Sequence, residues 1–190
     1  MSNKKWAISI CTTDGQRFSI GDVHDKFTIQ STSKPITYAL TLNELGTEVV
    51  HKYQGREPSG RMFNEIVLDH NSKNALDTVQ LSQENFMFSF TAQPHNPMVN
   101  SGAIMSASIL LHLVKKDLDM AQKFTYVFDF FKKMAGGEYV GFDNSIFLSE
   151  RDTADRNFAL AYFLRENGCF PQSSSNFDIF DVLDFYFQVS

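Results

Sequence analysis

The chain has 190 residues, 43% of them hydrophobic, enough to bury one sizeable core as a single domain or as two tightly joined lobes. A formal net charge of −5 and a pI near 5.5 give no electrostatic basis for binding nucleic acid or an anionic membrane. Two cysteines, Cys11 and Cys169, make neither a disulfide framework nor a metal cluster, which points to a reducing, intracellular compartment.

Met1–Lys5 carries no signal-peptide core and no Arg/Ser-rich transit segment, and no apolar run approaches membrane-spanning length. Trp6–Cys11 and Arg17–Ile20 predict two short strands, joined by a tight turn in which Asp14–Gly15 supplies a positive φ. Lys26–Gln30 predicts a third extended piece. A helix is expected over Ile36–Leu45, with Gly46 at its C-terminal end, and Glu57–Gly60 is a turn cluster. Asn71–Gln93 has no clean period. Pro94–Asn100 is a compact loop with two prolines, two asparagines and a histidine. Helices are then expected over Ser101–Lys116, over Asp119–Met134 closed by Gly136–Gly137, and over Ser149–Asn167 with Ser149 as N-cap. A last, Phe-rich helix is expected over Asn176–Gln188. Strands followed by a block of helices predict an α+β arrangement, although two or three short strands make a marginal sheet. The 19 phenylalanines predict an aromatic-rich core.

The chemistry is expected at Gln30–Pro35, where a strand-like run feeds a helical one. Ser31 and Lys34 are three apart, so on a first helical turn they share a face. The positive end of the helix dipole disfavours the protonated amine there, and a neutral Lys34 accepts the Ser31 proton in the serine–lysine form of nucleophilic catalysis. Spacing alone carries little weight, because Ser2–Lys5 has it too. The competing reading is an N-cap serine followed by a solvated lysine.

Glu150 and Asn157 are seven apart on the expected Ser149–Asn167 helix, on one face and roughly 10 Å apart along its axis. A carboxylate and an amide so placed grip the two ends of a small zwitterion. The alternative is a dipole-favoured Glu150 and a surface Asn157. Asn100 is either a helix N-cap or an amide that meets a carboxylate at a helix N-terminus, and Asn96, before Pro97, is a turn residue. Tyr186, inside Phe185–Phe187, fits core packing by default. The five histidines show no metal-ligand spacing, and no Gly-rich phosphate loop, Gly-x-Ser-x-Gly elbow or Lys-Ser/Thr-Gly element is present.

Several blocks in fixed order carry a resemblance: Ser9–Arg17, Gln30–Pro35, Leu45–Glu48 with Tyr53–Gly60, Pro94–Ile104, Lys133–Gly136 with Glu138–Phe142, Ser149–Arg151 with Asp155–Ala159, and Leu183–Gln188. They resemble the serine-dependent glutaminase family, specifically its animal kidney/liver-type enzymes. The resemblance implies a β-lactamase-like fold and hydrolysis of L-glutamine to L-glutamate and ammonia. It makes Ser31 the nucleophile and Lys34 its proton acceptor, with Ser31, Asn100, Glu150, Asn157 and Tyr186 holding glutamine. It implies no metal or organic cofactor, activation by phosphate, assembly through dimers to tetramers, and a mitochondrial location for a chain that shows no presequence; the cytoplasm is the alternative.

Three departures from the family pattern bear on activity. The chain stops at Ser190, before a further catalytic tyrosine and the sheet strands that flank the nucleophile. It starts after a helical segment with a substrate-contacting tyrosine. About twenty residues around Asn74–Gln93 look inserted, between a segment resembling the phosphate-sensitive activation loop (Gly60–Leu68) and the Pro94 loop. The expectation is therefore a partial catalytic domain over 1–190 with weak or no activity of its own. The rival is a non-catalytic subunit that pairs with a full-length paralogue; a penicillin-recognising acyl-transferase is more remote.

Overall fold

We describe the fold from a computed structural model, over residues 4–66, 68, 93–171 and 178–189. The chain forms two compact units, Met1–Gln30 and Ser31–Ser190.

The first unit is an antiparallel hairpin of β1 (Ala7–Cys11) and β2 (Arg17–Gly21), with Ile8 opposite Ile20 and Ile10 opposite Phe18. Its loop is closed by the Thr12 N–H donating to the Gln16 carbonyl at 2.9 Å and the Gly15 N–H donating to the Thr12 carbonyl at 3.0 Å. Gly15 takes the expected positive φ, at 89°. Alternation puts Ile8, Ile10, Phe18 and Ile20 on one face, yet each is 47–57% exposed. On the other face the Ser9 and Ser19 hydroxyls meet at 2.8 Å. The expected third extended piece at Lys26–Gln30 joins no ladder: among the described residues the sheet has two strands.

A 3-10 turn, Gln30–Ser33, opens the second unit and leads into α1 (Lys34–Leu45), then α2 (Thr47–Val50). The centre is α3 (Asn100–His112), whose residues Ser101–Leu111 are all buried. Its small residues Ser101, Gly102, Ala103, Ser106, Ala107 and Ser108 let neighbouring backbones approach closely. Around it pack α1, α4 (Met120–Met134), α6 (Asp155–Glu166) and α7 (Ile179–Gln188), while α5 (Asn144–Asp152) lies against α7. The largest fully buried side chains include Leu40, Ile104, Met105, Ile109, Leu160, Leu164 and Leu183. The core is therefore mainly aliphatic. Phe131, Phe170, Phe185 and Phe187 are buried, but Phe18, Phe27, Phe63, Phe142 and Phe180 are 43–76% exposed, which corrects the expectation of an aromatic-rich core.

Several helix boundaries differ from expectation. α3 stops at His112 rather than Lys116, because the His112 ring engages the Ser108 carbonyl at 2.9 Å, the Lys123 amine donates to the Leu111 carbonyl, and Lys115 turns left-handed at φ 42°. Ser149 is not an N-cap. α5 starts five residues earlier, at Asn144, capped by Asp143, whose carboxylate accepts the Ser145 N–H at 2.9 Å and the Ile146 N–H at 3.3 Å. The single helix expected over Ser149–Asn167 is two, broken at Thr153–Ala154, where the Thr153 hydroxyl donates to the Ser149 carbonyl at 3.0 Å. α7 begins on the Asp178 cap, with the Phe180 N–H donating to its carboxylate at 2.8 Å. The insertion expected around Asn74–Gln93 lies, but for Gln93, outside the described residues.

Candidate active site

Lys34 is the first residue of α1 and is only 4% exposed. Its Nζ donates to Asn100 Oδ1 at 2.6 Å, and Asn100 Nδ2 donates in turn to Asn157 Oδ1 at 3.2 Å. Three side chains from α1, α3 and α6 thus form one hydrogen-bonded chain. Burial holds the Lys34 amine below its ordinary pKa. The positive end of α1 acts in the same direction.

Asn100 is not an N-cap. Val99 occupies that position, and Asn100 is the first helical residue, its side chain turned to Lys34 and Asn157. Its own N–H donates to the Phe63 carbonyl at 2.8 Å. The loop before it is fixed from both sides. The Pro94 and His95 carbonyls accept the Gly55 and Glu57 N–H groups at 2.8 and 3.1 Å, and Asn96 Nδ2 donates to the Glu57 carbonyl at 2.9 Å. Asn96 Oδ1 accepts the Met98 N–H at 2.9 Å, the turn role expected for it. Gly102 is required by close approach, since a Cβ there would overlap the Asn96 carbonyl.

Ser31 is exposed in the 3-10 turn that ends one residue before Lys34. Gln30, just before it, holds a left-handed φ of 41°, a conformation that costs a non-glycine residue about 1–3 kcal/mol. Lys34 Nζ is bonded to Asn100 rather than to Ser31.

Glu150 and Asn157 do not share a helix face, because the break at Thr153 puts Glu150 at the end of α5 and Asn157 in the first turn of α6. Tyr186 is 9% exposed on α7, its ring 5.4 Å from that of Phe187. The bridge from Arg151 Nε to Asp184 Oδ1, at 2.8 Å, ties α5 to α7, so Glu150 and Tyr186 lie on adjacent helices. The hydrogen-bonded chain through Lys34 includes neither of them.

Two contributors were missed by the sequence. Phe63 sets its ring centroid 5.6 Å from Lys34 Nζ, and Arg156, on α6, donates to the Asn64 carbonyl at 3.3 Å. The only sequence signal was their place in the segments likened to an activation loop and to the Asp155–Ala159 block.

The chain shares the β-lactamase-like fold of solved glutaminases. A Bacillus glutaminase whose crystal structure was determined in 4.3 M NaCl superposes with a TM-score of 0.73 at 27% identity, over 97% of this chain and 52% of that one. The glutaminase family profile matches residues 1–190, and the chain belongs to that family. A Caenorhabditis elegans relative carrying the name glutaminase 2 is 49% identical over 184 residues, and the mitochondrial liver isoform of glutaminase from Rattus norvegicus is 42% identical over 184 residues. Each alignment covers 97% of this chain and 26% of the relative, so the chain spans about a quarter of the length of these animal relatives.

Proposed function

We propose that this protein hydrolyses L-glutamine to L-glutamate and ammonia through an acyl-enzyme on Ser31. The observation that carries the proposal is the part-buried Lys34–Asn100–Asn157 chain, with Lys34 itself buried. A lysine that donates an N–H to Asn100, and whose burial favours the neutral form, has its lone pair available for the Ser31 proton. Ser31 Oγ bonds to the side-chain amide carbon as Lys34 takes the proton. The C–N bond then breaks, the proton passes to the departing nitrogen, and ammonia leaves. Water attacks the acyl-enzyme, again giving its proton to Lys34, and glutamate is released with Ser31 restored.

Asn157 Nδ2 makes no hydrogen bond among the described residues and is available for the substrate carboxylate or a carbonyl. Glu150 takes the ammonium group, with Asn100 and Tyr186 completing the grip. Because Glu150 and Asn157 come from different helices, the α5–α6 junction sets the distance between the two ends of the substrate. Activation by inorganic phosphate, assembly as a homo-oligomer and a mitochondrial location belong to the same proposal; light scattering with and without phosphate, and cell fractionation, test them. Ammonia release from glutamine by the purified chain, abolished by Ser31→Ala, supports the hydrolytic reading; release that survives Ser31→Ala sinks it.

The half-exposed Ile8, Ile10, Phe18 and Ile20 face favours a second reading, a non-catalytic subunit that seats this face on a full-length paralogue. Co-purification with such a paralogue, lost on Ile10→Glu and without turnover by the chain alone, supports it. A monodisperse monomer that ignores the paralogue counts against it.

A further inference from the structure

The segment after Gly60 meets the Lys34 chain at two points and α6 at a third. The Phe63 carbonyl accepts the Asn100 N–H at 2.8 Å, the Phe63 ring centroid stands 5.6 Å from Lys34 Nζ, and the Asn64 carbonyl accepts from Arg156 Nη1 at 3.3 Å. The Phe63 side chain is 55% exposed, so core packing does not account for its position. What lies beneath it is an amine on a residue only 4% exposed.

We propose that Phe63 is a positioning residue for Lys34: its ring closes the solvent side of the amine, while its carbonyl and the Arg156 contact hold the segment against α3 and α6. The proposal rests on Lys34 serving as the base described above. Two effects of the ring oppose each other. Its π face attracts an ammonium, which favours the protonated form, while its bulk excludes water, which favours the neutral one. The second wins here, because the ring is itself half in water, where cation–π attraction is weak, and burial is the cause of the Lys34 shift. Among the described residues the groups facing Nζ are neutral: Asn100 from α3 and the ring of Phe63, with Asn157 of α6 one hydrogen bond further.

The test reads Lys34 directly and needs no turnover. The full chain is acetylated with acetic anhydride across a pH series, and the labelled fraction of the Lys34 peptide is followed by mass spectrometry. Phe63→Ala is expected to move the midpoint up by about one pH unit. Phe63→Leu, which keeps cover without a π face, is expected to leave it within a few tenths, and Arg156→Ala to move it up by less than Phe63→Ala. An unmoved or lowered midpoint in Phe63→Ala, or a Phe63→Leu shift as large as that of alanine, overturns the proposal. If Phe63→Ala loses its helical signal, Arg156→Ala decides, and an unmoved midpoint there overturns it equally. Ammonia release measured in parallel separates the two ideas. A shifted midpoint in a chain without turnover supports the positioning role and removes the hydrolytic reading; turnover with no shift does the reverse.

Discussion

Gly102→Ala sets intrinsic helix propensity against packing. Gly102 lies in the first turn of α3, buried, and by propensity alone alanine stabilises a helix interior by about 1 kcal/mol over glycine. The space denies this. A Cβ at 102 would overlap the Asn96 carbonyl oxygen and sit 2.8 Å from the Asn96 carbonyl carbon and 2.9 Å from Pro97 Cα, against 3.4 Å for ordinary contact. All three atoms are backbone, so no rotamer change relieves the overlap and the 94–99 loop must move. That loop is pinned by the Gly55 and Glu57 N–H groups and by Asn96 Nδ2. Overpacking of this kind costs about 1–3 kcal/mol, which exceeds the propensity gain. The net expectation is a loss of up to about 2 kcal/mol, read as a lower urea midpoint at unchanged slope, with Asn100 displaced from Lys34. A Gly102→Ala chain as stable as the parent, or more stable, would refute the close approach of loop and helix.

Lys34→Met removes a titrating group whose folded pKa is depressed by burial. Because the unfolded chain binds the proton more tightly, the parent gains stability relative to the variant as pH rises from the folded pKa to the unfolded value near 10.4, and loses it on the way down; urea midpoints of both proteins from pH 7 to 10.5 measure this. Asn100→Ala leaves Lys34 buried without its acceptor and is expected to cost about 1–3 kcal/mol, read by the same denaturation. Asp119→Ala removes the reciprocal cap of α4, in which Asp119 Oδ1 accepts the Gln122 N–H at 2.8 Å and Gln122 Oε1 accepts the Asp119 N–H at 3.0 Å. The expected loss is about 1 kcal/mol, seen as a lower Tm.

The hairpin was legible because Asp14–Gly15 stands between two alternating runs, and local turn chemistry needs no distant partner. The buried α3 was legible as a helix, and its Gly, Ala and Ser positions explain why it can be central. The α5–α6 break was not. Thr153 is an ordinary interior residue by propensity, and only its hydroxyl bond to the Ser149 carbonyl marks the end of the helix. The face-sharing geometry for Glu150 and Asn157 failed with it, although both residues remain on helices packed near the site. Asn157 was singled out by its spacing from Glu150 and Asn100 by its place at a helix start, but only the blocks of resemblance joined them, since no periodicity places an α3 amide against an α6 amide across 57 residues. Phe63 was invisible because a loop aromatic gives no sign of what it covers, and the positive φ at Gln30 because glutamine carries no left-handed preference.

The most direct test of the central claim is covalent capture at Ser31. The chain is incubated with a glutamine analogue carrying an electrophilic diazoketone in place of the side-chain amide, then mapped by peptide mass spectrometry. The prediction is one adduct on Ser31, suppressed by excess L-glutamine, absent in Ser31→Ala and slowed at least tenfold in Lys34→Met. Labelling of another residue, or of Ser31 at the same rate without Lys34, would contradict it.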